Sequence, residues 1–125
     1  MLGDKEAVAT VAVKDLEVAK KFYQEVLGLK VVSSQEPEAL TFKSGSSKVI
    51  VYRSQFARTN QATAVNWVVG NDVEKLAQGL KERGVKFEHY DFPGTTMKGD
   101  VHIMGEIEAA WFKDPDGNIL CLMNE

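Results

Sequence analysis

The sequence predicts an α+β protein of two tandem βαβββ modules, and three observations carry that prediction. Short β-branched apolar runs alternate with amphipathic helical patterns. Asp15, Leu16, Ala19 and Tyr23 recur at one constant offset as Asp72, Val73, Leu76 and Leu80, and Gly28 recurs as Gly84 one residue closer. Late in each half, Thr41-Phe42-Lys43 is matched by Trp111-Phe112-Lys113, and Val49-Ile50-Val51-Tyr52 by Ile119-Leu120-Cys121-Leu122. Matches at both ends of a unit mark an internal repeat, so the modules are placed at about 7–54 and 64–124 with a linker at 55–63.

Each element follows from local chemistry. Residues 7–13 are apolar and β-branched, as in a strand buried on both faces. Asp15 accepts from the free N–H groups that open a helix. Leu16, Ala19, Tyr23 and Val26 form its apolar stripe. Gly28 closes it, where a left-handed residue costs least. Strands follow at 29–33, 39–43 and 48–53, separated by Ser-, Pro- and Gly-containing turns. Polar, aperiodic residues 54–63 then lead to a strand at 64–69. A second helix opens at Asp72, with Val73, Leu76, Ala77 and Leu80 inward, and closes at Gly84. Strands at 85–89, 108–112 and 119–123 complete the module. Residues 92–99 form a loop of lid length. Asp114-Pro115-Asp116-Gly117 is a turn, with proline presetting φ and glycine taking the positive one.

Composition narrows the function classes. The 125 residues carry 15 basic and 18 acidic side chains, a net charge of −3. That argues against nucleic acid or an anionic membrane as partner, since either needs a clustered positive excess. The longest apolar run falls far short of the roughly 20 residues of a membrane span. One cysteine, Cys121, excludes an intrachain disulfide and a cysteine-based zinc site. Met1 to Glu6 mixes both charge signs without a signal-type apolar core, so a cytoplasmic protein is expected.

Val11-Ala12-Val13-Lys14-Asp15-Leu16, Phe22-Tyr23, Leu27-Gly28-Leu29 and Trp111-Phe112-Lys113-Asp114-Pro115-Asp116-Gly117-Asn118 together resemble the vicinal oxygen chelate superfamily. That group takes in glyoxalase I, ring-cleaving dioxygenases, and the bleomycin and fosfomycin resistance proteins. The resemblance runs from Ala7 to Asn124. It implies curved mixed sheets around a ligand cavity, completed in short members by a second identical chain, and hence a homodimer. It says little about the reaction, because one fold hosts many activities.

Metal enzymes of this group hold a divalent ion with a residue near the start of each module's first strand and one in each last strand, usually histidine and glutamate. Carried over, those positions are Val8, Val51, Ala64 or Val65, and Cys121. The resemblance thus implies no metal and no other cofactor. The expected function is binding of a small organic ligand without reaction, as in bleomycin resistance. A lyase, isomerase or dioxygenase using displaced ligands such as His102 and Glu108 is the alternative, and a regulatory or partner-binding module is a third. Candidate ligand contacts are Thr10, Phe42, Tyr52, Arg53, Asn66, Trp67, Trp111 and Cys121. The rings suit a planar ligand, Arg53 an acidic group, and strand parity puts only one of Asn66 and Trp67 in the cavity. His102, in a polar stretch, reads as a solvated histidine.

Overall fold

The computed structural model describes residues 1–125, and the chain divides into two compact units, Met1–Thr59 and Asn60–Glu125. Both are built as the repeat predicts, a sheet with one helix packed on it.

In the first unit, β1 (Ala9–Val13) leads into α1 (Leu16–Lys21), followed by β2 (Lys30–Gln35), β3 (Ala39–Ser44) and β4 (Ser47–Arg53). The sheet order is β1-β4-β3-β2, with β1 parallel to β4 and the other pairs antiparallel. Asp15 caps α1, its Oδ1 accepting from the N–H of Glu17 at 3.0 Å and of Val18 at 3.3 Å. A wide π-helical turn, Phe22–Val26, extends the helix and brings Tyr23 inward. Tyr23 meets Phe42 with ring centroids 5.7 Å apart. Val11, Val13, Leu40, Val49 and Val51 complete this core.

In the second unit, β5 (Thr63–Val68) is followed by α2 (Val73–Glu82), β6 (Phe87–Glu88), β7 (Thr96–Lys98), β8 (Val101–Met104), β9 (Ile107–Lys113) and β10 (Ile119–Met123). The order is β5-β10-β9-β8-β7, with β6 also on β9 and β5 parallel to β10. Asp72 makes no side-chain cap, and a 3-10 turn over Gly70–Asp72 leads in instead. Val73 and Ala77 are buried, whereas Leu76, expected inward, lies 41% exposed at the flank of the stripe.

The expected loop at 92–99 is shorter than its sequence suggests. Thr96–Lys98 is an edge strand paired with β8, and neither strand was legible in the sequence. β6 and β8 share one edge of β9: β8 pairs with residues 107–109 and β6 with 111–112. The turn after β9 is held by Asp114, whose Oδ1 accepts from the N–H of Asp116 and of Asn118, both at 2.9 Å, and whose Oδ2 accepts from Asn118 Nδ2 at 2.8 Å.

Candidate functional site

Strand pairing decides which residues share a face. In unit one, Val11, Val13, Leu40, Phe42, Val49 and Val51 face α1. The opposite face carries Thr10, Ala12, Thr41, Ile50 and Tyr52, through the pairs Thr10–Ile50, Ala12–Tyr52 and Thr41–Ile50. In unit two, Val65, Ala110, Phe112, Leu120 and Leu122 form the face that α2 covers, and Trp67 joins them opposite Leu122. Asn66, Ala109, Trp111, Cys121 and His102 lie on the other face.

The candidate contacts therefore separate. Thr10 and Tyr52 share the far face of unit one, and Asn66, Trp111 and Cys121 share that of unit two. Phe42 and Trp67 point toward the helices instead. Arg53 also leaves the far face, and its guanidinium is paired with Glu38 at 3.0 Å. Asn66 donates from Nδ2 to Met123 Sδ.

The metal positions shift as well. Thr41–Ile50 in unit one is the counterpart of Trp111–Cys121 in unit two, so Ile50 and not Val51 matches Cys121. The sequence match slipped by one residue, which turns a side chain to the other face of the sheet. Thr10 and Asn66 pair with Ile50 and Cys121, and two residues before them stand Val8 and Ala64. Val65 pairs with Leu120 and faces α2, so Ala64 is the fourth position. Cys121 is buried, and its desolvation pushes the thiol up to about 11, so almost none is thiolate at neutral pH.

Above the far face of unit two, residues after β6 build an aromatic cluster. Trp111 meets Tyr90 and His102 edge to face, with ring centroids 5.6 and 4.9 Å away, and Phe92 at a tilt with centroids 5.5 Å apart. Trp111 Nε1 donates to Thr63 Oγ1 at 3.2 Å, fixing the indole. Tyr90, Phe92, Trp111, Thr63 and Ile119 line a pocket of 280 Å³. The Tyr90 hydroxyl is buried and has no hydrogen-bond partner. Burial, and next the charge of Glu88, raise its pKa, so it stays a donor at neutral pH.

His102 is the residue that the sequence most misrepresents. It is fully buried in β8. The Tyr90 N–H donates to its Nε2 at 2.9 Å, and Nδ1 lies 3.3 Å from the Ala109 carbonyl, to which it donates. If β6 continued its register past Glu88–Trp111, Tyr90 would come opposite Ala109. The imidazole spans that break, one nitrogen to each backbone group. Both nitrogens are occupied, which leaves none for a metal or a substrate proton. Glu108 pairs with Ile103, on the other face of the sheet from His102, so the two cannot act together. His89 lies at the surface, its Nε2 2.8 Å from Asp100.

Desolvation holds the His102 pKa below the ordinary histidine value. The unfolded chain takes up this proton before the folded one does. Stability is therefore complete above about pH 6.5, the unperturbed value, and declines as pH falls below it. Thermal unfolding followed by circular dichroism from pH 7.5 to 5.5 is expected to show this fall. In His102→Gln, whose amide can accept from Tyr90 and donate to Ala109, the slope over that range is expected to flatten. An unchanged slope would mean that another group sets it.

No helix is long and apolar enough to cross a membrane. The chain has no match among curated protein sequences. Among solved structures it is similar to a glyoxalase family protein from Enterococcus faecalis, at 24% identity over 98% of this chain and 99% of that one, with a TM-score of 0.72. It is also similar to lactoylglutathione lyase from Agrobacterium tumefaciens, at 16% identity over 96% and 92% with a TM-score of 0.73. The fosfomycin resistance protein FosX from Mesorhizobium loti follows at 15% over 100% and 94%, TM-score 0.70. These likenesses bear out the fold, and a family profile matches residues 7–122. The chain belongs to the Glyoxalase/Bleomycin resistance protein/Dioxygenase superfamily.

Proposed function

We propose that the protein binds a small organic molecule through the aromatic pocket of its second unit, and that it does so without a metal ion. The observation that carries this reading is the pocket walled by Trp111, Tyr90 and Phe92. Aromatic rings lining a pocket present apolar surface that suits a planar organic ligand. At 280 Å³ the pocket suits one planar ring system of a larger ligand. Sequestration of a bleomycin-like molecule, and a homodimer that completes the site, belong to the same proposal by family analogy.

The donor set argues in the same direction. Val8, Ile50 and Ala64 have no lone pair to offer, and the Cys121 thiol is held protonated. No group of three or more His, Cys, Asp or Glu side chains is placed to hold an ion. These residues do not fit the divalent centre that metal enzymes of the family hold.

The test uses Trp67→Phe, which leaves Trp111 as the single tryptophan. Bleomycin and a panel of planar heteroaromatics are expected to quench its fluorescence saturably. Replacing Trp111 with alanine, read by calorimetry, is expected to weaken the bound compound by about 30-fold or more. Trp111→Ala that folds and binds as well as the parent would refute the site.

A further inference from the structure

We propose that His102 is the positioning residue of the aromatic pocket, a neutral imidazole strut that holds Tyr90 and Phe92 against Trp111 and gives way on taking a proton. The proposal rests on ligand binding at that pocket and adds what holds its walls and what releases them. Residues 89–95, which carry Tyr90 and Phe92, belong to no strand. The Tyr90 N–H lies beyond the last β6 pair and donates to His102 Nε2 at 2.9 Å. On the other side of the ring, Nδ1 donates to the Ala109 carbonyl on β9 at 3.3 Å. The same ring meets Trp111 edge to face at 4.9 Å between centroids, and Tyr90 and Phe92 at 6.1 Å each. One fully buried ring thus packs against all three pocket walls and ties their unpaired segment to the sheet.

The strut works in one protonation state only. The Tyr90 N–H needs an acceptor, and only the neutral imidazole has a lone pair at Nε2. An imidazolium sets N–H against N–H in a dry site, so the Tyr90 backbone must leave. Phe92 follows two residues on, and the wall opens. Desolvation, the largest influence, disfavours the proton, partly offset by the Ala109 carbonyl; the charge of His89, with ring centroids 6.2 Å apart, disfavours it further. His89 is held by Asp100, which also receives Lys81 from α2. From β7, Met97 lies opposite His102, and the neighbouring Lys98 is paired with Glu74 of α2. Glu108 lies on the other face of β9, and the Cys121 thiol and Tyr90 phenol are uncharged. Both nitrogens of His102 bond backbone groups, so no carboxylate rewards the charged ring. The closed pocket excludes the proton. Ligand affinity is therefore constant above about pH 6.5, the unperturbed value, and falls about tenfold per unit once pH drops below the His102 pKa.

The experiment is calorimetric titration of the full chain with coumarin, a planar heteroaromatic without a titrating group, from pH 8 to 5.5. It is run beside nitrogen-15 NMR of the ligand-free protein, with folding at each pH checked by circular dichroism. In the spectra, the Tyr90 amide and Trp111 indole resonances are expected to shift in step with the His102 ring nitrogens. In the titrations, wild-type affinity is expected to hold to about pH 6.5 and then fall. His102→Gln, whose uncharged amide serves both backbone groups, is expected to show neither change. His102→Leu offers Tyr90 no acceptor and is expected to bind at least about tenfold more weakly at pH 7.5, a loss that His102→Gln mostly recovers. His89→Gln is expected to keep the fall. The proposal is overturned if affinity holds to pH 5.5, if it falls while His102 stays neutral, or if His102 titrates while Tyr90 and Trp111 stay still. A fall that persists in His102→Gln or vanishes in His89→Gln also overturns it, as does wild-type affinity in folded His102→Leu. Should His102→Leu not fold, the pH profiles of wild type and His102→Gln still decide. Absence of coumarin binding at pH 7.5 refutes the ligand-binding reading instead, and the ligand-free spectra then decide on the strut.

Discussion

Phe42→Ala is expected to lower the unfolding free energy by about 3–5 kcal/mol. The ring is fully buried, lies 5.7 Å from Tyr23, and sits among Leu40, Val49 and Val51 under α1. Truncation removes its burial and leaves a void that β3, hydrogen-bonded on both sides, cannot collapse to fill. Phe42→Leu refills most of that volume and is expected to cost less than half as much. Urea denaturation followed by fluorescence distinguishes the two. Ligand binding at Trp111 by folded Phe42→Leu is expected to be unchanged, because Phe42 faces the helix and belongs to the other unit. A loss of binding with stability intact would return Phe42 to the site where the sequence placed it.

Asp114→Ala is expected to cost about 2–4 kcal/mol, although it deletes only a carboxylate. That carboxylate is buried and accepts from two backbone N–H groups and one side-chain amide. Removing it leaves those donors in a dry turn without their acceptor. The turn also sets the register of β9 against β10, through Asp114 N–H to the Asn118 carbonyl at 3.0 Å. Loss of the turn therefore loosens the pair that places Trp111 opposite Cys121. Asp114→Asn keeps an acceptor oxygen and is expected to recover about half of the loss in urea denaturation. Equal stability of Asp114→Ala and wild type would show that the motif holds nothing.

Much of the fold was legible because it is locally encoded. Asp15 caps its helix through its own side chain, and Gly28 and Gly84 take the positive φ that closes each helix. The repeat then fixed the module type. β7 and β8 were hidden, since three and four residues between Gly94, Gly99 and Gly105 are too few to show a period of two. Gly70 and Asn71 form the turn that replaces a cap at Asp72.

The site was less legible because strand parity turns on single residues. Val49 to Tyr52 and Ile119 to Leu122 are apolar on both faces, so nothing in their composition sets the register between them. The pairs Thr41–Ile50 and Trp111–Cys121 set it, and those are long-range facts. Trp111 could be placed on its face because it lies within the turn motif's own strand. Tyr90 and Phe92 were missed, since their role depends on β6 leaving β9 after Glu88. His102 was read as solvated from its polar neighbours, whereas the break in β6 gives its ring two backbone partners.

The central claim is that the aromatic pocket binds an organic ligand with no metal ion. The most direct measurement is a Trp111 fluorescence titration of Trp67→Phe with its bound heteroaromatic, run once on chelator-treated protein and once after addition of zinc, nickel, manganese or iron(II). Saturable quenching with the same affinity in every run is the predicted result. Binding that disappears with chelator and returns with one of these ions would contradict the account.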